Sequence, residues 1–230
     1  MIALVFGLSS CGSNGIICKR ASGALVTETI ELPPIDGIDV SIDANVNLTY
    51  GETQSVSVTV QAEVLEELER DVRGTTWYIH FDQCVRNYDL TIDITLPSLA
   101  LVDISGSADV KTTNTFVEQG GLELKISGSG DLDLAFEGTD IDSRISGSGD
   151  VELAGSATSL NKRISGSGEL KAFDMTCGTA DMNITGSGNV ELTVNDHLDV
   201  DISGSGNVSY KGTPTMNVNI TGSGEVIDAN

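Results

Sequence analysis

Acidic and amide side chains recur at one fixed place in this 230-residue chain. Asp109, Asp131, Asp150 and Glu169, continued by Asn189, Asn207 and Glu225, each follow a Gly-Ser-Gly or Gly-Ser-Ala corner. Carboxylates gathered in a groove perform acid/base work in polysaccharide lyases and hydrolases, and Gly/Asp turns hold calcium in nonapeptide β-rolls. Neither chemistry is expected here. A hydrolase needs carboxylates that converge with a distinct partner, and this column is generated by the repeat itself. A calcium roll needs such a turn about every nine residues, and here one occurs per repeat. The corner serines, Ser107 to Ser223, have no general base beside them, and His80 and His197 stand far apart in sequence. No catalytic, cofactor-binding or metal-ligating residue is therefore expected. Two features qualify as a binding surface: the cations Lys125, Arg144 and Arg163, one in each of three successive repeats, and Trp77, the only tryptophan.

The elements that position these residues follow from the repeat. Ile-Ser/Thr-Gly-Ser-Gly/Ala begins at Ile104, Ile126, Ile145, Ile164, Ile184, Ile202 and Ile220, at intervals of 22, 19, 19, 20, 18 and 18 residues. Upstream of each Ile the residues alternate, as in Leu122-Glu-Leu124-Lys-Ile126 and Leu198-Asp-Val200-Asp-Ile202. Period-2 alternation describes a strand with one buried and one wet face. Downstream, Val151-Glu-Leu153 and its equivalents supply a second strand. Short strands joined by Gly-rich corners, repeated every 19 residues or so, predict an all-β fold, a parallel β-helix or β-solenoid. Seven coils about 4.8 Å apart would extend roughly 30–35 Å. Ser143 and Lys162 fall at inward positions, where other repeats carry Leu124, Met182, Val200 and Val218. A buried ammonium is costly, so a bulge or altered register is expected there.

Composition agrees with an exposed acidic rod. Lys and Arg number 12 against 34 Asp and Glu, a net charge of −22, with 26 Gly and 4% aromatics. Such a balance excludes nucleic acid and anionic membrane surfaces as bulk-charge partners. A hydrophobic share of 39% in alternating runs excludes a disordered acidic tail. The 31–98 segment is a less regular β region, with strands around Ile38–Ile42, Val46–Tyr50, Ser55–Val60, Thr76–Phe81 and Leu90–Leu96. Val64, Leu65 and Leu68 have the spacing of a short amphipathic helix. This segment begins or caps the solenoid, because an open end would expose backbone groups to edge pairing.

The first eleven residues form an apolar run ending Leu8-Ser9-Ser10-Cys11. The ending resembles a bacterial lipobox, with Cys11 as the lipidated residue and 1–11 as the remnant of an export signal. No Lys or Arg precedes the run, which leaves room for an earlier start. Residues 12–30 read as a tether, 31–98 as the cap and 99–230 as the repeat β-helix. Cys18, Cys84 and Cys177 permit one disulfide and a free thiol, with the pairing open, and no C-x-x-C spacing is present.

Several elements together resemble the "putative auto-transporter adhesin, head GIN domain" family: Asp36-Gly-Ile-Asp-Val40, Asn47-Leu-Thr-Tyr-Gly51, the Leu65 segment and the Ile-Ser-Gly-Ser-Gly train. The resemblance implies a right-handed parallel β-helix in an exported bacterial envelope protein and brings no catalytic residues. The expectation is a non-catalytic lipoprotein on the outer membrane, adhesive or structural, with a glycan or protein as partner. Its alternatives are a periplasmic glycan- or protein-binding module and, in third place, a carbohydrate-active β-helix enzyme.

Overall fold

Alternating aliphatic residues have one place to go, and in the computed structural model, which describes residues 18–230, they fill the inside of a stack of parallel coils. Ten strands make up the repeat region, and nine precede it. These are β1 (Lys19–Arg20), β2 (Leu25–Thr29), β3 (Gly37–Val40), β4 (Asn45–Tyr50), β5 (Ser55–Gln61), β6 (Asp71–Arg73), β7 (Thr76–Ile79), β8 (Val85–Arg86) and β9 (Thr91–Leu96). One helical turn, α1 (Ala62–Leu65), follows β5 and buries Val64 and Leu65. The solenoid continues through β10 (Leu101–Ile104), β11 (Asp109–Thr112), β12 (Leu122–Ile126), β13 (Asp131–Ile145) and β14 (Val151–Gly166). It ends with β15 (Leu170–Gly186), β16 (Val190–Gly204), β17 (Val208–Lys211), β18 (Thr215–Gly222) and β19 (Val226–Asp228).

Strands β13 to β16 each wrap from one face to the other. The first face stacks β7, β3, β10 and β12, then the C-terminal halves of β13 to β16, then β18, all parallel. The second stacks β9, β4 and β11, then the N-terminal halves of the same strands, then β17 and β19. The coils therefore do not follow chain order at the N-terminal end. The β3/β4 coil lies between the later β7/β9 coil and β10/β11. Beyond β9, β5 and then β2 pair antiparallel, and β6 pairs antiparallel with β7, which covers this end of the stack.

Register shows that Val40-Ser-Ile-Asp-Ala-Asn-Val46 is an unrecognised copy of the repeat, aligned with Ile104-Ser-Gly-Ser-Ala-Asp-Val110. The glycines explain why it escaped notice. A Cβ on Gly149 would meet the carbonyl oxygen of Gly130 in the coil below and sit 2.8 Å from Ile126 Cγ2, and Gly168, Gly188, Gly206 and Gly224 repeat the arrangement. Position 106 lies over Ser41-Ile42, where the nearest backbone atoms are 3.1 Å from such a Cβ, and the next corner position is occupied by Ala108. The first corner glycine has a second reason: Gly166, Gly186, Gly204 and Gly222 have φ between +132° and +150°, where L side chains are strained. Beneath the corners, Ile104, Ile126, Ile145, Ile164, Ile184 and Ile202 form a buried column. Each such side chain contributes about 1.5–3 kcal/mol on burial.

Two expectations need correction. Residues 18–29 are no tether: Cys18 is bonded to Cys84, β1 pairs with β8 and β2 with β5. Lys19 Nζ meets Glu67 Oε1 at 2.6 Å, and Glu63 Oε1 accepts the Ser22 N–H, also at 2.6 Å. No bulge occurs at Ser143 and Lys162 either. They stay in register with Leu124 and Met182, and the added residue of that coil is absorbed later, around Phe173 and Asp174. The physical reason is that the pair is complementary in size. Ser143 leaves a space that the Lys162 chain fills, and the ammonium, 2% exposed, donates to Ser143 Oγ at 2.7 Å. Burial pushes the Lys162 pKa down to about 7.

Two predictions follow. Gly168→Ala should cost about 1–3 kcal/mol through overpacking, read from the urea midpoint, whereas Gly120→Ala, with open space around it, should be neutral. Because the folded pKa of Lys162 lies below its ordinary 10.5, the unfolded chain binds more protons between about pH 7 and 10.5, and the burial cost is greatest below that window. Ser143→Val with Lys162→Met keeps the heavy-atom count and should stabilise by about 1–4 kcal/mol at pH 6. The advantage over the unsubstituted chain should shrink by pH 10.

Candidate binding surface

The three cations meet because coils in register place equivalent outward residues side by side on the first face. Lys125 neighbours Arg144, and Arg144 neighbours Arg163. The column continues on one side through Asn183, Asp201 and Asn219, and on the other through Asp103, Asp39 and Tyr78. Sequence reasoning missed Asp39 and Tyr78, since their coils are displaced from chain order. The pattern that could have found them is the alternation in Gly37–Val40 and Thr76–Ile79.

Two of the cations are already partnered within their own strands. Lys125 Nζ lies 2.8 Å from Glu123 Oε1, and Arg144 Nε lies 3.3 Å from Asp142 Oδ1. Arg163 faces Asn161 in the equivalent place and has no carboxylate within salt-bridge distance among the described residues. Arg144 and Arg163 line an open groove of about 250 Å³ with Asp142, Asn161 and Asp181. At the other end of the stripe, Asp39 and Asp103 are half-buried on adjacent strands. Burial raises the pKa of both. His80 and Arg73 oppose the rise at Asp39, and the Asp39 charge adds to it at Asp103. Carboxylates thus sit beside carboxylates and cations beside cations, along one line parallel to the coil axis.

Trp77 does not belong to this surface. It lies in phase with Ile79 and is fully buried, its Nε1–H donating to the Glu69 carbonyl at 3.1 Å. The same alternation turns Tyr78 outward, where the Arg73 guanidinium lies 4.6 Å from the ring centre. The binding candidate at 77 is therefore corrected to a cap residue.

The corner acids have a structural occupation. Asp131 Oδ1 accepts the Asp150 N–H and Asp150 Oδ1 accepts the Glu169 N–H, both at 3.0 Å. Asn189 and Asn207 receive the corresponding N–H groups of Asn207 and Glu225. Each side chain satisfies a backbone donor of the next coil. Such bonds to charged groups are worth about 1.5–3 kcal/mol. The corner serines are exposed, and it is their backbone N–H groups that bond down the stack, as from Ser148 to Gly128. Among the described residues no group of three or more His, Cys, Asp and Glu could hold a metal ion.

The two histidines are spent locally. His197 lies 2.8 Å from Thr215 Oγ1 and 3.0 Å from Asp199 Oδ2, and His80 Nδ1 is 3.0 Å from the Tyr78 carbonyl. Cys177 is buried, its thiol pushed up to about 11 by desolvation, which makes it a poor nucleophile. A cavity of about 460 Å³ lies at the capped end between residues 29–36 and residues 53–56 and 97–98. Its Gln54 is engaged by the Ile35 N–H and by the Leu32 and Pro33 carbonyls. Cys11 lies outside the described residues.

Comparison with known proteins agrees with this architecture. No curated protein matches the chain. A "putative adhesin" from Bacteroides fragilis NCTC 9343 superposes with a TM-score of 0.80 at 20% identity, covering 90% of this chain and 98% of that one. A "putative adhesin" from Parabacteroides distasonis ATCC 8503 gives 0.70 at 21% identity, over 92% and 99% of the two chains. A "putative lipid binding protein" from the same organism gives 0.70 at 21%, over 91% and 100%. At these identities the likeness carries the fold alone. Residues 34–214 match the model of the family described as "putative auto-transporter adhesin, head GIN domain", and the chain belongs to that family.

Proposed function

We propose that this chain is a non-catalytic, exported module of the bacterial cell envelope, anchored through lipid at Cys11, that works by adhesion through its faces. The observation that carries the non-catalytic part is the use of the corner column: Asp131 and Asp150, with Asn189 and Asn207 in the same column, hold backbone N–H groups of neighbouring coils. Export is supported by the Cys18–Cys84 disulfide, since such bonds persist in oxidising compartments. Cys11 stands seven residues before that bond, so a lipid there would hold the capped end near the membrane. The family description favours contact with a partner over a purely architectural role.

Arg163 favours a second, narrower reading. As an outward guanidinium without a carboxylate partner, beside the groove it shares with Arg144, it suits an acidic group of a glycan or protein. The surrounding acidic field restricts this to a local contact.

Three outcomes test these readings. Cys11→Ser should move the protein from the membrane to the soluble fraction and abolish incorporation of labelled fatty acid. Protease treatment of intact cells should remove the protein, and resistance would leave a periplasmic role. Arg144→Glu with Arg163→Glu should weaken retention on acidic glycan arrays while leaving the melting temperature within a few degrees; unchanged retention removes the stripe from consideration.

A further inference from the structure

Arg163 is placed differently from the other two cations of its row. On the first face each outward residue has four near neighbours, two along its own strand and one in each adjoining coil. For Arg163 these are Asn161, Ser165, Arg144 and Asn183, none of them acidic. Lys125 and Arg144 have Glu123 and Asp142 in the place of Asn161. The two amides, the exposed Ser165 hydroxyl and the Arg144 guanidinium all carry hydrogen-bond donors. An anionic oxygen at Arg163 therefore has donors on every side.

The nearest carboxylates lie diagonally. Asp142 and Asp181 flank Asn161 in the adjoining coils, about 8 Å from Arg163 by the coil spacing and strand rise, and line the same groove. Asp142 is held by Arg144. Asp181 has no ion pair among the described residues, whereas Asp199 and Asp201 in the next coil accept amide N–H groups from Asn217 and Asn219. The groove thus holds one unpartnered cation and one unpartnered acceptor. A ligand that offers only negative charge satisfies the first and is repelled by the second. A carboxylate carried on a ring of hydroxyls satisfies both, because the hydroxyls donate to Asp181 while the carboxylate accepts from Arg163. The carboxylate of a peptide Asp or Glu, on its methylene stem, brings no such hydroxyl. The volume of about 250 Å³ lies below the ~300–1,000 Å³ of drug-sized pockets and suits a single sugar ring.

We propose that the Arg163 groove is a subsite for one carboxylated sugar unit of an acidic glycan, its carboxylate bound between Arg163 and Arg144 and its hydroxyls bonding Asp181, Asn161 and Ser165. This subsite rests on the second reading above, that the stripe takes an acidic group, and selects a glycan over a protein as the partner. The flanking acids become the source of selectivity. They admit a single charge surrounded by hydroxyls and turn away sulfated or phosphorylated polymers of higher charge density.

The test titrates the full chain carrying Cys11→Ser, which cannot be acylated, and follows binding by nuclear magnetic resonance. The probes are oligosaccharides ending in glucuronate, galacturonate or N-acetylneuraminate, the methyl ester of each, and a tetraglutamate peptide. At least one of the three acidic sugars should bind, with its methyl ester and tetraglutamate each weaker by about tenfold. Arg163→Gln should weaken the acidic sugar by about tenfold as well. Asp181→Ala should weaken the acidic sugar and strengthen tetraglutamate, a divergence that a purely repulsive Asp181 does not produce. Tetraglutamate bound as tightly as the sugars, or an Asp181→Ala variant that strengthens both, leaves a general anion site and overturns the sugar subsite while the stripe reading stands. Binding of no acidic probe, or binding that Arg163→Gln leaves unchanged, overturns both.

Discussion

The backbone of one coil passes so close to the next at the Gly-Ser-Gly corner that no side chain fits between them. Everything regular in the molecule depends on that approach. The carbonyl of one corner glycine lies where the Cβ of the next would be, and an Ile methyl group closes the remaining space. With the corner closed, the strands on both sides are brought to hydrogen-bonding distance, and the Ile column beneath becomes continuous. Where the coil below has a different corner, as at Ser41–Ala44, the approach is looser and alanine is accepted at 108. The repeat is thus an expression of contact between neighbours, and it fades at the end where the neighbours differ.

Once the coils are in register, charge is arranged by stacking. Equivalent acids would form a repulsive ladder if left free, and the structure relieves this in part by giving two of the corner carboxylates, Asp131 and Asp150, a backbone N–H each. On the first face the ladder changes sign at Lys125, and two of the three cations are held by carboxylates two residues away. The pattern reverses once inside the core. Lys162 is buried with a hydroxyl as its partner, a local cost accepted because Ser143 and Lys162 together fill the volume that two aliphatic residues would otherwise take. Regular packing dominates over the preference of a single ammonium for water, because a shift of register would displace every residue of the strand.

The train of repeats made the parallel solenoid, its Ile column and the approximate coil length legible, since period-2 alternation and recurrent glycines describe this geometry directly. Family membership was legible on the same residues. The cap was legible only as β-rich. Its strands were found near their places, but their partners lie far away in sequence, and no local pattern shows that Gly37–Tyr50 is inserted between coils formed later. Of the surface candidates, Lys125, Arg144 and Arg163 form the expected row, whereas Trp77 turned inward with Ile79.

The sequence by itself determined the repeating unit, because the spacing of Ile and Gly is set by contacts within one coil and with its immediate neighbour. Only the tertiary structure decided which cysteines pair, where Lys162 goes and which aromatic ring is exposed. Those outcomes depend on residues that are distant along the chain and adjacent in space, and a repeat read one coil at a time contains no information about them.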